Sequence, residues 1–113
     1  MGQKGIIAMT YQPRRASSRW VEGAPEYILD CFDNMGKSAD RYMILFGGSL
    51  LDPHLLKFGK VPMLCLSDRP TDPWFGVSMW GEVEAWYRPA HLRRRWLDLP
   101  ENVREHIMMR AES

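Results

Sequence analysis

The chain has 113 residues, 45% of them hydrophobic and 26% charged, with 15 Lys and Arg against 14 Asp and Glu and a formal net charge of +1. That length holds one domain with a small core, and no stretch approaches the roughly 18 consecutive apolar residues of a membrane helix. A nearly neutral chain has no global field with which to gather nucleic acid or a membrane surface.

Residues 1–24 read as an N-terminal basic arm, and residues 25–113 as a single α+β domain. Up to Trp20 the arm carries Lys4, Arg14, Arg15 and Arg19 and no acid. Residues 21–40 carry Glu22, Glu26, Asp30, Asp33 and Asp40 against Lys37. The arm is therefore expected to lie on an acidic face. The opening MGQKGIIAMTYQPRR has an apolar patch too short for the core of a secretory signal, so the expected location is cytoplasmic. YQPRRASSRWVEGA has no periodicity and reads as a loop anchored by Trp20.

From Pro25 the pattern changes. EYILDCFD alternates Tyr27, Leu29 and Cys31 with Ile28, Asp30 and Phe32, and RYMILF is rich in aromatic and branched residues. Both are strand signatures, and the loop NMGKSAD joins them into a hairpin. Gly47 and Gly48 end the second strand. SLLDPHLLKFGK predicts a short helical turn, with Pro53 tolerated at its start. VPMLCLS is apolar on both faces and predicts a central strand.

SDRPTDPWFGVSMWGE, punctuated by Pro70, Pro73, Gly76 and Gly81, reads as a long ordered aromatic loop packed on the sheet. VEAWY and RRRWLDL are candidates for short further strands. LPENVREHIMMRA, with Pro100 at its start and Val103 and Ile107 four apart, predicts a C-terminal helix of about ten residues covering one sheet face. The fold class is thus α+β, a small antiparallel sheet with that helix laid on it in two layers. Cys31 and Cys65, each inside an apolar stretch and without metal or redox spacing, are expected as buried thiols rather than a disulfide.

The polar chemistry is concentrated in CFDNMGKSADRY. Gly36-Lys37-Ser38 is not a phosphate loop, because that motif needs a glycine where Cys31 stands and a helix where a strand follows. A hairpin loop with a lysine and free backbone N–H groups can still hold an anion. The alternative is a solvated turn in which Asp33 and Asn34 bond their own backbone. Asp40 and Arg41 are adjacent on a strand and so point to opposite faces. Arg41 either bridges to Glu82 or Asp68 or aims its two-pronged guanidinium at a bound carboxylate or phosphate.

Trp74, Phe75, Trp80, Trp86 and Tyr87 are core side chains or one wall of a pocket beside Ser67, Asp68, Arg69 and Glu82. Arg93, Arg94 and Arg95 read as a solvated face, with nucleic-acid binding the lesser alternative. His54, His91 and His106 lack ligand-like spacing, so no metal site is expected. No catalytic constellation and no cofactor is indicated.

DCFDNMGKSADRY, the apolar strand that follows, LSDRPTDPWFGVSMWGE, the basic run and RWLDLP before a short helix together resemble a group of small proteins encoded by bacteriophages and prophages, without assigned function. The likeness covers roughly residues 26–110. It departs at Met35, where that group tends to carry a second glycine, and at Pro73-Trp74-Phe75-Gly76, where it tends to read Pro-Gln-Gly-Phe. The resemblance implies an accessory protein that blunts host defence or redirects host machinery, and no catalytic residue comes with it.

The expected function is therefore a binding protein with a polar pocket for an anionic, nucleotide-like molecule, lined by Asp33, Asn34, Lys37, Asp40, Arg41, Ser67, Arg69, Trp80 and Glu82. Lys37 and Arg41 would meet phosphate, Trp80 would stack, and Asp33, Asn34 and Glu82 would fix orientation. The alternatives are an inhibitor that grips a host protein through exposed aromatics, and a small nucleotide-acting enzyme. A homo-oligomer burying some of the tryptophans is compatible with each.

Overall fold

In a computed structural model, residues 14–35, 41–67, 77–82 and 90–112 are described, the third of these segments as backbone alone. Four strands form one antiparallel sheet in chain order: β1 (Ile28–Asp33), β2 (Tyr42–Phe46), β3 (Lys60–Leu66) and β4 (Val77–Glu82). A short helix α1 (Ser18–Val21) precedes the sheet, a second α2 (Pro53–Leu56) sits between β2 and β3, and α3 (Glu101–Glu112) closes the described chain. The α+β class follows directly, with β3 in the interior of the sheet as its two-sided apolar pattern requires.

The register sorts the side chains by face. Cys31, Ile44 and Leu64 stand in one cross-strand row, and Phe32, Met43 and Cys65 in the next. Because side chains alternate along a strand, neighbouring rows point to opposite sides. On one side Ile28, Ile44, Phe46, Leu64 and Leu66 meet Val103 and Ile107 of α3 together with Val21, Trp96 and Leu99. On the other, Phe32, Met43, Met63 and Cys65 meet Leu56 of α2, flanked by Leu51 and Leu92. The two-layer expectation is corrected here: β2 and β3 are apolar on both faces, so both faces need a cover.

Local signals account for the smaller elements. Asp52 caps α2, its carboxylate accepting from His54 N at 2.9 Å, with Pro53 in the first turn. In α3, Val103 and Ile107 are one turn apart and both buried, and Pro100 O accepts from Val103 N and Arg104 N at 3.0 Å. Gly47 is required by close approach, since a Cβ there would overlap Leu29 Cδ1. Cys31 and Cys65 are buried free thiols on opposite faces of the sheet, and burial pushes the Cys31 thiol well above its ordinary range.

Three readings of the sequence change. The second half of the expected aromatic loop is β4, whose backbone pairs with β3 from Val77 opposite Cys65 to Glu82 opposite Lys60; its glycines and flanking prolines mask an edge-strand pattern. RRRWLDL is not a strand: Arg93 makes a single bridge to Phe32, and residues 96–98 form a 3-10 turn. The described part of the arm packs against the sheet, with Val21 in the core and Ala16 N bonded to Leu29 O at 2.8 Å. Arg15 fastens it, donating to the carbonyls of Ile28 at 2.9 Å, Pro25 at 3.1 Å and Ala24 at 3.3 Å. VEAWY and the first half of the loop lie outside the described residues.

Candidate functional site

The β1–β2 hairpin sets the geometry at one end of the sheet. Asp33 ends β1 opposite Tyr42, which pairs in turn with Leu66 at the end of β3. Asp33 Oδ1 accepts from Met35 N at 2.8 Å, the side-chain-to-backbone turn that aspartate favours. Asn34 N donates to Arg41 O at 2.7 Å and closes the hairpin. Met35 takes a left-handed backbone, φ 61°, which is costly for any residue with a Cβ.

Arg41 immediately precedes β2 rather than lying within it. Its guanidinium grips Asp33, Nε to Oδ1 at 3.1 Å and a terminal nitrogen to Oδ2 at 3.3 Å, and lies 4.9 Å from the centroid of the Tyr42 ring. The expected bridge to Glu82 is thereby corrected. Antiparallel pairing makes residues 33 and 41 near neighbours, whereas Glu82 pairs with Lys60 at the opposite end, six residues or about 20 Å along the strand from Leu66. Asp68 lies outside the described residues. Burial alone would raise the Asp33 carboxyl, but the Arg41 hydrogen bond, the Met35 N–H and the charges of Arg41 and Arg94 outweigh it and hold the group below its ordinary range.

Asp33, Asn34, Arg41 and Ser67 are therefore brought to one end of the sheet. Ser67 follows Leu66 directly and is buried there. Trp80 and Glu82 are not: β4 places them opposite Pro62 and Lys60, and Trp80 sits about 13 Å along the strands from the Leu66 row. The assumption that a long loop could carry Trp80 back to the hairpin fails because the segment is strand. Lys37, Asp40 and Arg69 lie outside the described residues.

Two arginines that sequence reading assigned to a solvated face do specific work. Arg94 reaches the hairpin, a terminal nitrogen donating to Met35 Sδ at 3.1 Å, and is steadied by the carbonyls of His91 at 2.8 Å and Arg93 at 2.9 Å. Arg93 crosses to Asp30 in the middle of β1, with contacts of 2.9–3.2 Å, and its guanidinium lies 5.6 Å from the Phe32 ring centroid and 5.7 Å from that of Trp20. Asp30 is only 6% exposed. Desolvation raises its carboxyl above the ordinary range despite the opposing pull of Arg93 and the Cys31 N–H. One signal could have found this pair: a carboxylate inside the apolar run ILDCFD demands a cation, and RRR is the densest supply of them.

Among the described residues, the hairpin end thus gathers two guanidinium groups, that of Arg41 on Asp33 and that of Arg94 on Met35, the side-chain type that pairs most readily with anions. Among the described residues no group of three His, Cys, Asp or Glu side chains could hold a metal ion, and no helix is long and apolar enough to cross a membrane. No family model matches the chain, and comparisons with curated proteins and with solved structures find no significant match.

Proposed function

We propose that the chain is an accessory binding protein, of the kind phages deploy in the host cytoplasm, whose hairpin end holds an anionic, nucleotide-like molecule. One observation carries the reading. Tyr42 pairs with Leu66, and Cys65 with Val77, so the connection between β1 and β2 and the connection between β3 and β4 both leave this end of the sheet from adjoining strands. Clefts where neighbouring connections emerge from a rigid sheet are common binding sites. Arg41 and Lys37 supply the charge for phosphate in this reading, and Asn34 and Ser67 the orienting polar groups. The stacking partner is sought in the same connection rather than at Trp80.

Isothermal titration of the whole chain against a panel of mono-, di- and cyclic nucleotides tests it. Saturable heat with one class is expected, with Lys37→Ala and Arg41→Gln each weakening affinity about tenfold, the scale of one charge-assisted phosphate contact. Absence of heat across the panel refutes the reading.

A second reading has its own support. Phe58, in the turn before β3, is 61% exposed, with the His54 ring 5.7 Å away edge-to-face, and an exposed aromatic suits docking to another protein. A stoichiometric host partner retained by the wild type and lost by Phe58→Ala would favour it over nucleotide binding.

A further inference from the structure

The two basic runs of the sequence, residues 14–19 and 93–95, meet at the outer edge of β1. Ala16 N donates to Leu29 O at 2.8 Å and Arg94 N to Cys31 O at 3.0 Å. Their anchor points are two residues apart on the strand, about 7 Å. Trp20 stands between the runs: the Arg19 guanidinium is 5.1 Å from its ring centroid and that of Arg93 is 5.7 Å. On this face Arg93 is matched by Asp30 and Arg95 by Asp98. Among the described residues, no carboxylate lies within ion-pair distance of Arg14, Arg15, Arg19 or Arg94.

Folding therefore concentrates what the sequence spreads. The six arginines of the two runs act on Glu22, Asp30, Asp98 and, through Arg94, Asp33, which leaves +2 here on a chain whose formal net charge is +1. Arg15 is held by carbonyl oxygens and secures the fold. Arg14 and Arg19 are exposed, and among the described residues neither donates to a backbone carbonyl.

We infer that this face binds single-stranded nucleic acid, with guanidinium groups on the phosphates and Trp20 presenting its ring to a base. Guanidinium forks match phosphate oxygens in pairs. A partly exposed indole set among cations is the combination by which single strands are gripped without regard to sequence. Apart from Arg19 in the four-residue α1, the arginines lie in non-helical segments along a strand edge, not on one side of an amphipathic helix lying on lipid. This site is separate from the hairpin-end reading and stands or falls without it.

The test is fluorescence anisotropy of a labelled mixed-sequence oligonucleotide of about 20 residues, DNA and RNA, titrated with the whole chain at rising salt. With Arg14 and Arg19 as the phosphate contacts at about 0.7 each, the log–log salt slope should be near −1.4. Arg14→Gln with Arg19→Gln should remove most of that slope and weaken low-salt affinity at least tenfold. Lys57→Gln, in the turn before β3 and outside both runs, should change neither. Thermal melts confirm that the double variant is folded, and its exposed sites make that the expected result. Absence of binding at low salt, unchanged binding in the double variant, equal affinity for a duplex, or preference for vesicles of anionic lipid would each overturn the proposal.

Discussion

Asp30 and Asp33 occupy the same strand, both buried and both held by an arginine fork, yet their carboxyls are displaced in opposite directions. Asp30 lies mid-strand, on the face covered by Leu51, Leu56 and Leu92, and its cation arrives from a segment 63 residues away. Asp33 lies at the strand end, where Arg41 is eight residues distant and the turn adds the Met35 N–H. The pair teaches that burial and partnership are separate quantities. Where desolvation is deepest, one arginine fork and the Cys31 N–H together do not fully offset it. Where the chain turns, local donors come with the backbone and the charge is held in comfort.

The largest test of the contrast removes each cation in turn. Arg93→Ala leaves Asp30 buried without its partner and should cost about 2–3 kcal/mol in denaturant unfolding, below the full penalty for a sealed pair because the Arg93 side chain is 33% exposed. Arg41→Ala should cost about 1–2 kcal/mol, since Asp33 is the less desolvated of the two, each keeping one backbone N–H. Equal losses in the two variants would erase the distinction.

Acidity sharpens it. The folded-state carboxyl of Asp33 lies below its unfolded value, so its contribution to stability is present above the ordinary carboxylate range and is lost as pH falls through the folded value. Asp30 has the opposite sign: its contribution is fully present below the unfolded value and is lost as pH rises through the raised folded one. The deficit of Asp33→Asn relative to wild type should therefore shrink between neutral pH and pH values below the carboxylate range. That of Asp30→Asn should grow over the same interval. Urea unfolding across that interval measures both, and parallel profiles would contradict the assignment.

Smaller effects follow at the turn and on the surface. Met35→Gly relieves the left-handed backbone and should stabilise the fold by about 0.5–1 kcal/mol, the relief being partly offset by the freedom glycine gains when unfolded. Arg95→Ala, which breaks only the exposed pair with Asp98, should leave the melting temperature unchanged.

Much of the architecture is legible in the residues because it rests on short-range patterning. ILDCFD, YMILF and KVPMLCL alternate or run apolar over strand length, and Val103 with Ile107 mark one side of a helix. β4 is harder to see, since glycine and proline are turn formers unless a neighbouring strand supplies hydrogen bonds, and β3 supplies them. The hairpin members of the site, Asp33, Asn34 and Arg41, are legible for the same local reason as the strands. Trp80 and Glu82 are misassigned because a one-segment change from loop to strand moves them to the other end of the sheet.

By itself the sequence determines the α+β class, the hairpin that joins Asp33 to Arg41, the two buried thiols and the apolar stripe of the last helix, all set within a few residues along the chain. Only tertiary structure decides that Arg93 neutralises Asp30, that Arg94 reaches Met35, and that the two arginine runs converge around Trp20. Those pairings depend on which segments cover the outer edge of β1. That choice is made by long-range burial and strand-edge hydrogen bonds, which no local periodicity encodes.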